Sequence, residues 1–101
     1  MITVANRHQG ARGQYIGRGT VLGNDVGEGK PRAEAIRAYR KQLERLVETE
    51  PTHPTVAALV QLRRAHDRGE EITLVCSCKP KPCHGDVIVE FVEGDHLEHL
   101  L

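Results

Sequence analysis

The chain has 101 residues, of which 39% are hydrophobic and 28% charged, and its formal net charge at pH 7 is zero. This length predicts one domain, residues 1–101, with no room for a second core. The charge balance gives no general indication of nucleic-acid binding, so nucleic acid is a partner that the composition permits without favouring it. No apolar run approaches the ~18 residues of a membrane span, and the amino terminus lacks the apolar core of a signal peptide. We therefore expect a cytoplasmic protein with no membrane partner and with reduced thiols.

The first part of the chain predicts one strand and then a long glycine-rich segment. Residues 2–5 are short and β-branched, which is typical of a strand. Up to residue 24 the chain then carries arginines, glycines and no acidic residue. Within this segment, residues 14–16 and 20–22 could each form a short strand, but the surrounding glycines make a loop equally plausible.

The second part predicts helices that alternate with one more strand. Apolar residues recur at helical spacing in residues 31–49, and after Pro54 a second such pattern continues to about Arg68. Residues 72–76 predict a strand, and a third helix is expected to open at Gly85 or Asp86. Strands separated by helices favour a parallel pair joined by a crossover. The predicted fold is a small, layered α/β domain with a short, mainly parallel sheet flanked by helices, Rossmann-like in the broad sense.

The cysteines lie together at the end of the predicted strand 72–76 and in the loop that follows it. Cys76, Cys78 and Cys83 fall within eight residues, and His84 follows directly. Together they form a Cys₃His set, which suits structural zinc, the only cofactor that the sequence suggests. The spacing is less typical, because zinc knuckles usually place two residues between paired cysteines. The alternative for Cys76 is a small buried hydrophobic residue at a strand end.

The same loop could carry a reaction. A cysteine at a helix amino end beside cationic groups has a lowered pKa and reacts as the thiolate, which is what we expect of Cys83. His84 would then act as a general acid or base. These two residues are the predicted catalytic pair. The alternative is that both are structural and that His84 only bonds to the loop backbone.

The carboxyl ends of the parallel strands predict a binding edge for an anionic ligand. Ligands of open α/β sheets bind beyond these ends, and the amino end of a following helix favours negative charge. Glycines on both sides of an arginine let the backbone approach a ligand and aim one guanidinium at it. The predicted ligand is an anionic small molecule such as a nucleotide or sugar phosphate, and the alternative is that these charges are solvated surface groups. The predicted ligand-binding residues are Asn6, Arg18, Gly19, Asn24, Lys79 and Gly85.

These motifs resemble those of a family of small phage and bacterial domains of unknown function. Its pattern reads N-x-R, then G-R-x-x-x-L-G-N, then C-x-C-x-P-x-x-C-H-G, and the likeness spans nearly the whole chain. The resemblance implies that Asn6, Arg18, Asn24, Pro80 and the Cys₃His set are signature positions, but it carries no activity. One departure is Asp25, where the family commonly has proline. A more distant likeness is to an uncharacterised α/β family with C-x-E and C-H-R motifs, in which glutamate takes the place of Cys78.

Two hypotheses follow from the sequence. The first is a domain that binds or processes a nucleotide or other phosphate-bearing ligand at the edge formed by the loop around Arg18 and the cysteine loop. The second is a non-enzymatic, zinc-stabilised interaction module. Whether the protein is an enzyme, and its oligomeric state, are left open by the sequence.

Overall fold

The computed structural model describes residues 1–101, which form three strands and three helices in the order strand, strand, helix, helix, strand, helix. The predicted small α/β domain with a short parallel sheet is confirmed. None of the helices combines the length and the apolar character that crossing a membrane requires. The elements are β1 (Ile2–Asn6), β2 (Gln14–Tyr15), α1 (Arg32–Thr49), α2 (Pro54–Asp67), β3 (Ile72–Cys76) and α3 (His84–Glu93), with short 3₁₀ turns at Arg7–Gln9 and Glu98–Leu100.

The sheet places β3 between the two other strands, in the order β1-β3-β2, and both pairs are parallel. The register aligns Asn6 with Cys76 and Gln14 with Leu74. All three strands therefore end at the same edge of the sheet. The segments that follow them, including the cysteine loop, begin at that edge, which is where ligands bind in this class of sheet.

Helix α3 provides the densest part of the core. It packs against α1, α2 and β1, and its four apolar side chains Val87, Ile88, Phe91 and Val92 have no solvent exposure. Full burial of one such side chain contributes roughly 1.5–3 kcal/mol to folding. Because α3 follows the cysteine loop directly, this packing anchors the carboxyl side of the loop.

The structure decides one alternative that the sequence left open and corrects one boundary of the predicted elements. Residues 20–22 form turns rather than a strand, because the amide and hydroxyl groups of Thr20 both donate to the carbonyl oxygen of Gly17. Helix α3 begins at His84, one residue earlier than expected, because Cys83 is its N-cap. A capping box fixes this start, since the Asp86 carboxylate accepts from the Cys83 amide at 3.1 Å.

Removal of the Tyr39 hydroxyl group tests how the glycine-rich segment is held to α1. Tyr39 is buried, and its hydroxyl donates to the carbonyl oxygen of Leu22 at 2.7 Å. We expect Tyr39→Phe to lower the free energy of unfolding by about 1 kcal/mol, measured by urea denaturation, because a buried carbonyl loses this donor. Tyr15→Phe is the matched control, since the Tyr15 side chain is partly exposed and its hydroxyl has no hydrogen-bond partner in the protein. Equal losses in the two variants would contradict this role of Tyr39.

Candidate functional site

A cavity of about 490 Å³ lies at the edge of the sheet where the strands end. Three segments enclose it: the turn after β2, the start of α1 and the cysteine loop. These are the segments that the parallel topology brings to one edge. The cavity is lined by Tyr15, Gly17, Arg18, Asn24, Lys30, Arg32, Ala35, Ile36, Cys76, Ser77, Cys78, Cys83 and His84.

The charged side chains that line the cavity are all cationic. Arg18 is largely exposed and forms an ion pair with Glu28 at 3.5 Å. Arg32 donates through one guanidinium nitrogen to the carbonyl oxygen of Pro82 at 2.9 Å, and Lys30 forms no ion pair. No aspartate or glutamate lines the cavity. The local charge is therefore positive although the whole chain is neutral.

His84 forms a neutral polar part of the cavity wall. Its Nε2 lies 2.7 Å from the carbonyl oxygen of Ile16, which can only accept, so Nε2 carries the proton in the neutral ring. The ring meets Tyr39 edge to face, with the ring centroids 5.0 Å apart. Burial lowers the pKa of His84, although the carbonyl oxygens of Ile16 and Leu22 oppose this shift. The imidazole has a second ring nitrogen, Nδ1, which accepts in this tautomer.

Cys76 and Cys83 are brought together, and burial acts against activation of the Cys83 thiol. The Sγ atoms of Cys76 and Cys83 lie 3.7 Å apart, and both residues are buried. Burial raises the pKa of Cys83 to about 12, because it outweighs the hydrogen bond from the Gly85 amide that favours the thiolate. The expectation of a lowered pKa is therefore wrong for this free thiol. A catalytic role for Cys83 or His84 stays a prediction.

The amino end of α3 is occupied by the chain itself. The carboxylate of Asp86 accepts from the Cys83 amide and from the ammonium group of Lys79. Burial acts to lower the pKa of Lys79, but the hydrogen bond and negative charge of Asp86 leave it raised. Lys79 is thus neutralised, and it does not line the cavity. The Asp86 carboxylate thus lies at the helix amino end where the sequence predicted an anionic ligand, and ligand contacts of Lys79 and Gly85 stay a prediction.

Gly85 has a packing role rather than a contact with the cavity. A Cβ atom at this position would lie 2.9 Å from Cδ1 of Ile16 and 3.0 Å from Cγ1 of Val4. The missing side chain lets α3 approach β1 and the segment after β2 closely. Gly19, another predicted binding residue, has a φ of 85° in a turn and also lies outside the cavity lining.

Asn6 and Asn24, which the sequence predicts as ligand-binding residues, each donate and accept a hydrogen bond within the protein through the side-chain amide. Asn6 donates to the carbonyl oxygen of Lys79 at 2.6 Å and accepts from the His8 amide at 2.8 Å, so it ties β1 to the cysteine loop. Asn24 donates to the carbonyl oxygen of Ala35 at 3.0 Å and accepts from the Gly27 amide at 2.9 Å. Asn24 lines the cavity, whereas Asn6 does not.

The predicted metal ligands do not converge. No group of three or more histidine, cysteine, aspartate or glutamate side chains is placed to hold a metal ion. His84 is directed to the Ile16 carbonyl, and of the predicted set only Cys76 and Cys83 have their sulfur atoms in contact. The backbone amide of Cys78 lies 3.5 Å from Sγ of Cys76.

Among the cavity residues that were not singled out from the sequence as binding residues, three carry a charge or an aromatic ring. Lys30 and Arg32 flank Pro31 at the start of α1, and Tyr15 was noted only as part of a motif. The sequence does contain a signal for Lys30 and Arg32, because the helix that follows a parallel strand begins at the carboxyl edge of the sheet. For Tyr15 the signal was weaker, since a loop and a strand were equally plausible there.

The fold and the cavity define a small α/β protein with a cysteine-bearing loop at the carboxyl edge of a parallel sheet. The chain belongs to the family described as Domain of unknown function (DUF4326), which it matches over residues 4–94. This confirms the resemblance noted from the motifs. The chain is similar to an uncharacterized 12.4 kDa protein of the nrdA-td intergenic region of Enterobacteria phage T4, with 37% identity over 90 residues, or 88% of this chain and 75% of the phage protein. No solved structure matches the chain.

The structure predicts that the cysteines differ in the rate at which their thiols react. Cys78 is only half-buried, whereas Cys76 and Cys83 are buried and the pKa of Cys83 is about 12. We therefore expect a single fast-reacting thiol when the native protein is treated with a chromogenic disulfide reagent near pH 8, because reaction requires an accessible thiolate. Cys78→Ser should abolish the fast phase, and Cys83→Ser should leave it unchanged. Loss of the fast phase in Cys83→Ser alone would show that Cys83 is the activated thiol after all.

Proposed function

We propose that this cavity binds a small phosphate-bearing molecule, with nucleotides among its ligands. The observation that carries the proposal is the set of cations, Arg18, Lys30 and Arg32, around one cavity that no carboxylate lines. A cluster of like charges is unfavourable unless an anion neutralises it. The volume of about 490 Å³ lies in the range of small-molecule sites.

The donors of the cavity suit phosphate oxygens. The guanidinium of Arg32 is oriented by its hydrogen bond to Pro82 and retains further N–H groups for a ligand. Lys30 adds a charge that forms no ion pair in the protein. Arg18 is held only by an exposed pair with Glu28, which contributes little and can be exchanged for a phosphate.

A reaction of the bound ligand would depend first on His84. Its lowered pKa keeps the imidazole neutral near pH 7, and its Nδ1 can accept a proton from a ligand in the cavity. Cys83 is the weaker catalytic candidate, because its thiol is buried and has a raised pKa. Binding is thus the primary proposal, and processing of the ligand depends on it.

Substitution of the cavity cations tests phosphate binding directly. We expect ribose 5-phosphate to bind the native protein, and a Lys30→Ala/Arg32→Ala double variant to bind at least about tenfold more weakly by titration calorimetry, because each charge-assisted hydrogen bond contributes roughly 1.5–3 kcal/mol. Lys41→Ala is the control, since Lys41 is an exposed cation of α1 outside the cavity. Affinity should also fall with added salt. Undiminished binding in the double variant would overturn the proposal.

A zinc-stabilised interaction module is the second candidate, and the distance between two sulfur atoms favours it. Ligands of tetrahedral zinc lie about 2.3 Å from the metal, which places two sulfurs about 3.8 Å apart. The Sγ atoms of Cys76 and Cys83 are already 3.7 Å apart. Each of these sulfurs also accepts a backbone N–H, from Cys78 and Gly85 respectively, as thiolates bound to metals do. Cys78 would have to rotate inward to supply a third ligand.

Metal analysis tests the second candidate. If it is correct, native protein purified without a tag carries one zinc per chain, and a chelator lowers Tm by several degrees. Cys78→Ser should then weaken zinc retention, while His84→Gln should not, because His84 is directed to Ile16. Protein that contains no zinc and whose Tm is the same with and without chelator would exclude the module.

A further inference from the structure

Tyr15 is an exposed aromatic residue at the mouth of the cavity, and the fold holds its ring in place. Its side chain remains partly exposed, with a relative accessibility of 36%. The hydroxyl end of the ring lies across the backbone of Gly17, where a Cβ atom would collide with it. Glycine is therefore required at position 17 for the ring to occupy this place. An aromatic side chain that is ordered but not buried is available for contact with a ligand.

Arg7 supports the Tyr15 ring from outside the cavity. Its guanidinium carbon lies 4.9 Å from the ring centroid, in a cation–π contact. Arg7 is not among the residues that line the cavity, whereas Tyr15 is. Arg7 thus contacts the Tyr15 ring without itself bordering the cavity. The contact also orders the ring before a ligand arrives, which reduces the entropy lost on binding.

The apolar and cationic parts of the cavity lie on different segments. Tyr15 and the side chains of Ala35 and Ile36 offer apolar surface, while Arg18, Lys30 and Arg32 supply positive charge. A sugar phosphate would use the charges and leave the apolar surface without a partner. A ligand with a planar ring at one end and a phosphate at the other would use both.

We infer that the ligand is a nucleoside monophosphate whose base stacks on Tyr15, with Arg7 behind the ring and the cations around the phosphate. This inference rests on the proposed phosphate site and adds the class of ligand. Stacking on an aromatic side chain accepts any base, because every base has a π-face. Tyr15 thus distinguishes nucleotides from other phosphates without reading one particular base.

A comparison of AMP with ribose 5-phosphate isolates the contribution of the base. We expect AMP to bind the native protein about tenfold more tightly than ribose 5-phosphate, measured by titration calorimetry. Tyr15→Leu should remove this difference while leaving the affinity for ribose 5-phosphate unchanged. Tyr15→Phe should preserve the difference, because the ring remains. Arg7→Gln, which leaves Tyr15 in place, should reduce the AMP affinity severalfold and provides a second variant if Tyr15→Leu is unstable.

The outcomes separate this inference from the proposed function. Equal affinities for AMP and ribose 5-phosphate, with no effect of Tyr15→Leu on either, would overturn the stacking role and leave the phosphate site standing. Absence of binding by both probes would overturn both. A tenfold difference that persists in Tyr15→Leu would place the base elsewhere and would also overturn the inference. Val21→Ala is the control, because Val21 is exposed and lies outside the cavity.

Discussion

The site depends on the hydrogen bonds that hold the segment from Ile16 to Leu22 against two helices. This segment has almost no regular structure, so its backbone polar groups need partners from elsewhere. His84 of α3 donates to the Ile16 carbonyl, and Tyr39 of α1 donates to the Leu22 carbonyl, both at 2.7 Å. The two rings also contact each other edge to face. One small cluster thus joins the glycine-rich segment, α1 and α3, and its His84 ring lines the cavity.

This arrangement explains why His84 follows Cys83 directly. The N-cap of α3 directs the Cys83 sulfur toward Cys76, while the next residue, the first of the helix, points its ring toward the loop. The side chains of these adjacent residues therefore lie in different environments. The Cys83 sulfur is buried against Cys76, whereas the His84 ring is hydrogen-bonded to the Ile16 carbonyl. In the structure this motif forms a pair of buried thiols and, beside them, an imidazole that is hydrogen-bonded to the Ile16 carbonyl.

The general fold could be predicted from the sequence because it follows from periodicity. The helical spacing in α1 and the apolar run of β3 depend on local patterns, and both agree with the structure. The chemistry of the cysteine loop could not be predicted in the same way. Helix position and nearby lysines suggested a low pKa for Cys83, but desolvation, which depends on tertiary packing, acts in the opposite direction and is larger.

The predicted binding residues differ in the same way: some follow from local sequence motifs, and others depend on tertiary structure. Arg18 could be identified from its flanking glycines, and it does line the cavity. For Lys79, the sequence does not show that Asp86 caps α3 and pairs with it. Lys30 and Arg32 replace it as cavity cations, since the crossover brings the start of α1 to the carboxyl edge. Local motifs thus indicated the edge of the sheet, and only tertiary structure selects the side chains that face the cavity.

Mapping of amide chemical shifts by NMR during a titration with AMP tests the central claim most directly, because it locates the ligand without altering the protein. If the account is correct, the largest changes fall on the three segments that enclose the cavity, residues 15–24, 30–36 and 76–84. Changes concentrated on the face around Arg64 and Arg68, where a second cavity lies, or no saturable changes at all, would contradict it.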